Sequence, residues 1–427
     1  MRPHLLTTTR HNQSGAAALI VVVVLFFILA MVTAYAGRNL IFEQRTSVNN
    51  QRATQAFEVA EAGLEFAVAQ LGSGRVDSLC QPITDVAQNT FRQRYLTQNA
   101  DGTLSAIGVP ALNPSCILLS SGANCSCPTA GPPVLPDTVG LAPTFQLHFE
   151  TVAQPGVVRA VSLGCSSIGS QCYAGVPNKA DALARVSVLL GLNSALATPP
   201  SAAITARGTV DLNGSAVNVS NADVPTRGIT IDAGDTVINA GSARLSSVPG
   251  TPGTASVLAS DPSLSAMDKD RMFVSVFGMD RATYWSQPAV LRVQCGGDCA
   301  NALATAVSAN PGRVIYIDDP VSINSNVVLG SPATPVVLFV HGDLNVSANF
   351  RLYGVLYLNS GSGPRSTWTI TAGSTFVDGA LIVESGLSVI GTPTIAFDPN
   401  VLRTINLTQG SMVRVPGSWR DFAAAGS

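Results

Sequence analysis

The reactive side chains of this sequence are few. They are eight cysteines, an Asp318-Asp319-Pro320 run, His341-Gly342-Asp343, scattered acids at Asp232, Asp235 and Asp298, and one glycine, Gly15, directly ahead of an apolar run. Paired acids after a strand (Val314 to Ile317) could supply the acid and base of a glycosidase. Asp-Asp-Pro at a strand end is nonetheless an ordinary turn, and no basic cluster lies beside it. His341-Gly342-Asp343 lacks a serine in a G-x-S-x-G elbow, and no P-loop or G-x-G-x-x-G follows a strand. Asp232, Asp235 and Asp298 lack the ligand spacing of a calcium loop. No catalytic, cofactor or metal site is expected.

The cysteines carry oxidative chemistry instead. Cys80, Cys116, Cys125, Cys127, Cys165, Cys172, Cys295 and Cys299 all follow the apolar run. An even number in an oxidising compartment points to disulfides. Cys295 with Cys299 closes a tight loop, and Cys165 with Cys172 another. Cys125 and Cys127 are better placed to bond outward, to Cys80 and Cys116. Six cysteines allow fifteen pairings, so the sequence alone leaves the connectivity open. Zinc is disfavoured, because only His148 and His341 lie beyond the leader and neither is near a cysteine pair.

That compartment follows from the N-terminus. Ala16 to Ala36, AAALIVVVVLFFILAMVTAYA, contains no charge and no proline, and as a helix it spans roughly 30 Å of hydrocarbon. Arg2 and Arg10 precede it without an acid, and the first acid is Glu43. The positive-inside rule keeps the N-terminus cytoplasmic and exports the rest. Three readings compete: a secretory signal cut at Ala34-Tyr35-Ala36, a plain one-span anchor, and a leader cut on the cytoplasmic side after Gly15, which retains the apolar helix. The Gly at the boundary and a helix pattern that continues past residue 36 favour the third.

No proline occurs between Pro3 and Pro82. Ala53, Ala56, Phe57, Ala60, Leu64, Ala67, Val68 and Leu71 recur at the 3.6-residue period, with Arg52, Glu58, Glu61 and Glu65 between them. Gly72-Ser73-Gly74 ends the pattern. One helix should therefore start in the membrane and pack its apolar stripe, including Phe57 and Leu64, on a sheet. The acids read as a solvated ridge.

Gly15 ahead of AAALIVVVVLFF, then Arg38, Glu43, Asn50-Gln51-Arg52, Gln55-Ala56-Phe57 and Ala60-Glu61-Ala62-Gly63-Leu64, resembles the N-terminal segment of type IV pilus minor pilins of the PilX class. The resemblance covers roughly residues 11 to 71. It implies that Gly15 ends a prepilin leader and that Ala16 is the mature N-terminus. The fifth mature residue is Ile20, where major pilins carry Glu, which speaks against a bulk filament subunit. The implied partners are other minor and major pilins, a prepilin peptidase, the bacterial inner membrane and a tip adhesin. The implied location is the inner membrane with a periplasmic body, and the cell surface or pilus after assembly.

The chain has 427 residues, a net charge of −2 and 12% charged residues, so nucleic acid is not an expected partner. Phe145 to Glu150, Val157 to Gly164 and Leu183 to Leu190 alternate as half-buried strands do. Asn193 to Ser201 reads as a linker. Beyond it, short β runs are punctuated by Gly, Asn and Ser. Tyr353-Gly354-Val-Leu-Tyr-Leu358 and Asp378-Gly379-Ala-Leu-Ile-Val383 repeat at a period of about 25 residues, as rungs of a β-solenoid would. Val336 to Asn345 resembles C-terminal domains found on some large PilX-like proteins.

The expected fold class is α+β: a long N-terminal transmembrane and amphipathic helix packed on a pilin-like antiparallel sheet, followed by a β-rich C-terminal domain, β-solenoid-like or alternatively a β-sandwich. The expected parts are a leader at 1–15, a helix at 16–71 with its span at 16–36, a globular domain at 72–195 and the β-rich domain at 202–427. The expected role is a non-enzymatic pilus assembly subunit. A pilin-anchored adhesin is the alternative, and a carbohydrate-active enzyme a distant third.

Overall fold

The computed structural model describes residues 14–99, 101–136, 142–166, 182–213, 216–239, 241–361 and 363–422, with residues 14–17 and 111 by their backbone only. The leader residues 1–13 and Cys172 lie outside the described residues.

With no proline to interrupt it, Ser14–Leu71 forms one helix. Its two halves differ. From Leu19 to Val48 the large apolar side chains are exposed, Phe26 and Phe42 among them. From Ala56 onward the stripe Ala56, Val59, Ala60, Leu64, Ala67 and Leu71 is buried. It lies on the strands Thr144–Thr151, Val157–Cys165 and Leu183–Ser194. These three contain the strands read from the alternation, and they pair antiparallel in sequence. Ser115–Leu119 and Gly122–Ser126 extend the sheet on one side, also antiparallel.

Glycine sets how closely the helix lies on the sheet. A Cβ on Gly63 would stand 2.1 Å from Ser162 Oγ and 2.9 Å from a ring carbon of Phe145. Across the seam, a Cβ on Gly164 would stand 2.1 Å from the carbonyl oxygen of Ala56. Gly63 therefore serves close approach.

The other edge strand of this sheet comes from the far end of the chain. Gly410–Arg414 pairs antiparallel with Leu183–Ser194, Gly410 opposite Ser194. Residues 202–427 thus contribute a strand to the helix-bearing sheet. Nor is 193–201 a free linker. Asn193 and Ser194 finish a strand, and Ala195 and Leu196 are buried against Met272, Phe273 and Tyr284. The backbone there is held as well: Ala195 N–H donates to the Gln409 carbonyl at 2.9 Å, and Tyr284 hydroxyl donates to the Ala195 carbonyl at 2.9 Å.

Between Ile204 and Phe397 the described strand pairs are all parallel, which excludes a face-to-face antiparallel sandwich. The repeat is expressed as register: Gly354 sits opposite Gly379 and Leu356 opposite Leu381. Both glycines have positive φ, 144° and 142°. A Cβ on Gly354 would meet the Val336 carbonyl oxygen at 1.8 Å, and one on Gly379 the Gly354 carbonyl oxygen at 2.0 Å. The coil-to-coil contact at this corner admits no side chain.

The stacking order differs from the chain order. The chain enters at Ile204–Ala206 and runs outward through Ile231–Ala233 to Val257–Leu258. After a helical excursion it restarts at the opposite end with Val290–Arg292. It then climbs back through Val314–Ile317, Val336–His341, Phe350–Asn359 and Thr375–Val383. The last coil docks on the first, Leu381 opposite Ile204 and Ile395 opposite Val219. Leu, Ile and Val from both runs fill one interior, and Ala300 and Leu303 of the helix Ala300–Ala309 join it. Two further helices, Lys269–Phe277 and Arg281–Trp285, are N-capped by Asp268 and Asp280. Their Phe273, Phe277 and Tyr284 cover Phe339 and Tyr357 on the outer face of the large sheet.

Candidate functional site

The long helix is the most unusual surface of the molecule. It is long and apolar enough to cross a membrane, and the first half makes no contact that buries it. Gly15 and Ala16 lie in its first turn, which opens at Ser14. Ile20 is exposed in the bare half.

At the other end the helix is gripped from two sides. Leu64 is fully buried in the core shared with Phe91, Leu147, Val158 and Val186. Phe57 is not in that core. It is 37% exposed, and its ring meets Trp419 edge-on at 6.1 Å between centroids. Trp419 indole N–H donates to Glu61 Oε1, and Arg414 forms an ion pair with Glu65 at 2.8 Å. Arg420 bridges Ser187 in both directions at 2.8 Å. Glu61 and Glu65 of the acidic ridge are thus docked by the C-terminal segment. Phe57 left the sheet because the tail, not a strand, passes over its part of the helix.

Two disulfides hold loops around this core, and a third lies in the parallel unit. Cys80 is bonded to Cys127, Cys116 to Cys125 and Cys295 to Cys299. Cys165 is disulfide-bonded. Cys116 and Cys125 face each other across the antiparallel pair Ser115–Leu119 and Gly122–Ser126.

The carboxylates weighed in sequence separate into different tasks. A hydrogen bond from the Ser325 side chain, with those from Asn324 N at 2.8 Å and Ala300 N at 3.1 Å, holds the Asp298 carboxyl below the usual range. Asp235 accepts from Thr209 Oγ1 at 2.8 Å. Burial, with Asp261 alongside, pushes the Asp232 carboxyl up to about 6. Among the described residues no group of three or more His, Cys, Asp or Glu could hold a metal ion.

Asp318 and His341 do come together. They line one cleft of about 150 Å³ with Arg281, Trp285, Phe339 and Asn359. Tyr316 hydroxyl donates to Asp318 Oδ1 at 2.6 Å. Beside it, Arg281 pairs at 2.7 Å with Glu384, which is fully buried and also accepts from Tyr357 hydroxyl at 2.5 Å. Burial raises the Glu384 carboxyl. Arg281, Glu384 and Trp419 carry no local signal in the sequence, since each acts on a partner far away in the chain.

A bare apolar helix thus continues onto an antiparallel sheet. Residues 14–65 match the family described as PilX N-terminal. Among solved structures the chain is similar to the competence-associated pilin ComZ from Thermus thermophilus, at 13% identity, 87% coverage of this chain, 97% coverage of that one and a TM-score of 0.23. A superposition that loose transfers no detail. No curated protein matches the chain.

Proposed function

We propose that this chain is a minor, non-enzymatic subunit of a type IV pilus, inserted in the inner membrane with its N-terminus cytoplasmic and its body exported. A prepilin peptidase removes the leader after Gly15, so the mature protein starts at Ala16. The subunit then joins other pilins through its bare helix and carries a β-solenoid-like unit on the filament. One observation carries this reading: the same helix leaves its large apolar side chains exposed from Leu19 to Val48 and buries one apolar stripe between Ala56 and Leu71. An apolar rod of that kind is stable only in lipid or among other helices. The bulk of the parallel unit and Ile20 at the fifth mature position support a minor place.

Mass spectrometry of the membrane-extracted protein tests the processing step. A terminus at Ala16 supports it, and one at Met1 or Gly37 removes it. Deletion of the gene tests the role. Loss of surface pili supports an assembly subunit, whereas normal piliation with lost attachment supports a pilin-anchored adhesin.

A further inference from the structure

The long helix carries its charges on two opposite faces. At about 100° per residue, Arg38, Arg45 and Arg52 lie within about 40° of Ala56, in line with the buried stripe. From Ala56 onward that face meets the sheet, and Arg38 and Arg45 extend it into the exposed stretch ahead of the sheet. Glu43, Glu58, Glu61 and Glu65 all lie within about 40° of the opposite direction.

The helix does not neutralise these charges by itself. No acid stands three or four residues from any of the three arginines. Glu58 with Glu61, and Glu61 with Glu65, instead stand at spacings where like charges repel. The C-terminal segment answers part of this, with Trp419 on Glu61 and Arg414 on Glu65. Arg38, Arg45 and Glu58 are exposed and form no ion pair among the described residues.

Spacing then selects a partner. Arg38 and Arg45 are seven residues apart, and the only acids on the helix at that spacing are Glu58 and Glu65. A parallel copy of the helix displaced by 20 residues, about 30 Å, sets Arg38 against Glu58 and Arg45 against Glu65. The copy's Leu71 then comes level with Gln51, short of Ala56, where the first helix begins to be covered by its own sheet. In the same register the exposed Ile41 and Phe42 come level with Glu61 and Ala62, beside which Trp419 is 41% exposed. Apolar contact supplies attraction there, and the charges fix the register.

From this we infer that the basic face of the helix docks on the acidic face of a second copy of this chain, parallel and displaced by about 30 Å. The two faces differ and lie back to back, so the contact is heterologous and can repeat along a row of subunits. The inference rests on reading the helix as an assembly surface, and it adds the face, the partner and the register.

The test is sedimentation of the full chain in uncharged detergent micelles at low salt. Wild type should self-associate, and the association should weaken as salt rises. Arg38→Glu and Glu58→Arg should each weaken it by about tenfold or more. Both sites are exposed, so the fold is spared. The double variant Arg38→Glu/Glu58→Arg restores opposite charges across the contact and should recover the wild-type affinity to within about threefold. A wild-type chain that stays monomeric, single variants that associate like wild type, or a double variant as weak as the singles would each overturn the inference. So would phosphatidylglycerol vesicles that bind wild type but not Arg38→Glu while self-association is unchanged, since the arginines would then serve lipid headgroups. Membrane insertion and a mature terminus at Ala16 are measured separately, so failure of the pairing leaves the pilus reading standing.

Discussion

Trp419 donates its indole N–H to Glu61, a residue 358 positions earlier in the chain. With the Phe57 ring contact and the Arg414–Glu65 pair, this fastens the C-terminal tail across the lower part of the long helix. Removing the indole by Trp419→Ala should destabilise the full chain by about 1–2 kcal/mol, from one edge-on aromatic contact and one hydrogen bond to a charged acceptor. Glu61→Gln keeps the acceptor and should cost about 0.5 kcal/mol or less. Urea midpoints in detergent decide the matter: equal midpoints for wild type and Trp419→Ala would mean the tail rests on the helix without holding it.

The glycine seam reverses the ordinary ranking of helix formers. Replacing a mid-helix Gly by Ala normally gains about 1 kcal/mol. At Gly63 the added methyl meets Ser162 and Phe145, so Gly63→Ala should instead lose about 1–3 kcal/mol. Gly164→Ala should lose more, because it meets backbone that cannot rotate away. Gly37, with nothing within 4 Å, is the control and should show no loss. Leu64→Ala should cost about 2–5 kcal/mol. The comparison is made by chemical denaturation of the four variants side by side, and a stabilised Gly63→Ala would contradict the seam.

The disulfides should rank by the loop each closes. Cys80 and Cys127 are separated by 47 residues, Cys295 and Cys299 by 4. Chain entropy assigns about 4 kcal/mol to the first and about 2 kcal/mol to the second. Paired Cys→Ser variants, compared by urea unfolding without reductant, should keep that order. The opposite order would mean that native-state geometry outweighs the loop term.

Asp232 should make stability depend on pH. Its folded value is raised to about 6, against about 3.9 in an unfolded chain. Between those values the folded state keeps a proton the unfolded state has lost, so stability falls as pH rises from about 4 to about 6, and the penalty is complete above that. Asp232→Asn removes the penalty and can still hydrogen-bond to Asp261. After discounting for its partial exposure, the gain should be about 1 kcal/mol at pH 7 and close to none at pH 4. A gain of equal size at both pH values would assign the effect to something other than this carboxyl.

How much was legible in the sequence follows from the range of each signal. Ala56, Ala60, Leu64 and Leu71 were readable because a helix repeats locally. Gly354 and Gly379 were readable because neighbouring coils repeat at a fixed period. Phe57 was misplaced because its partner, Trp419, carries no sign of where it will land. The short run Gly410–Arg414 gives no pairing signal of its own, so its return to the first sheet was hidden. Asn193 to Ser201 looked like a linker from its prolines, although Ala195 and Leu196 fill an aromatic pocket. The cleft at Asp318 was invisible for the same reason: Asp318 and Arg281 come to one place only once the fold is complete.

The pairing of Ser194 with Gly410 has a topological consequence. The chain leaves the helix-bearing sheet and re-enters it at directly opposed positions on adjacent antiparallel strands, the geometry at which a hairpin turn would ordinarily close. Everything from Ala195 to Gln409 is therefore an insertion into what could have been a simple β-hairpin. The match of the last coil to the first lets such a large insert begin and end at one place. A lineage could exchange, enlarge or discard this cargo at that hairpin while leaving the helix, its sheet and the tail that fastens them in register.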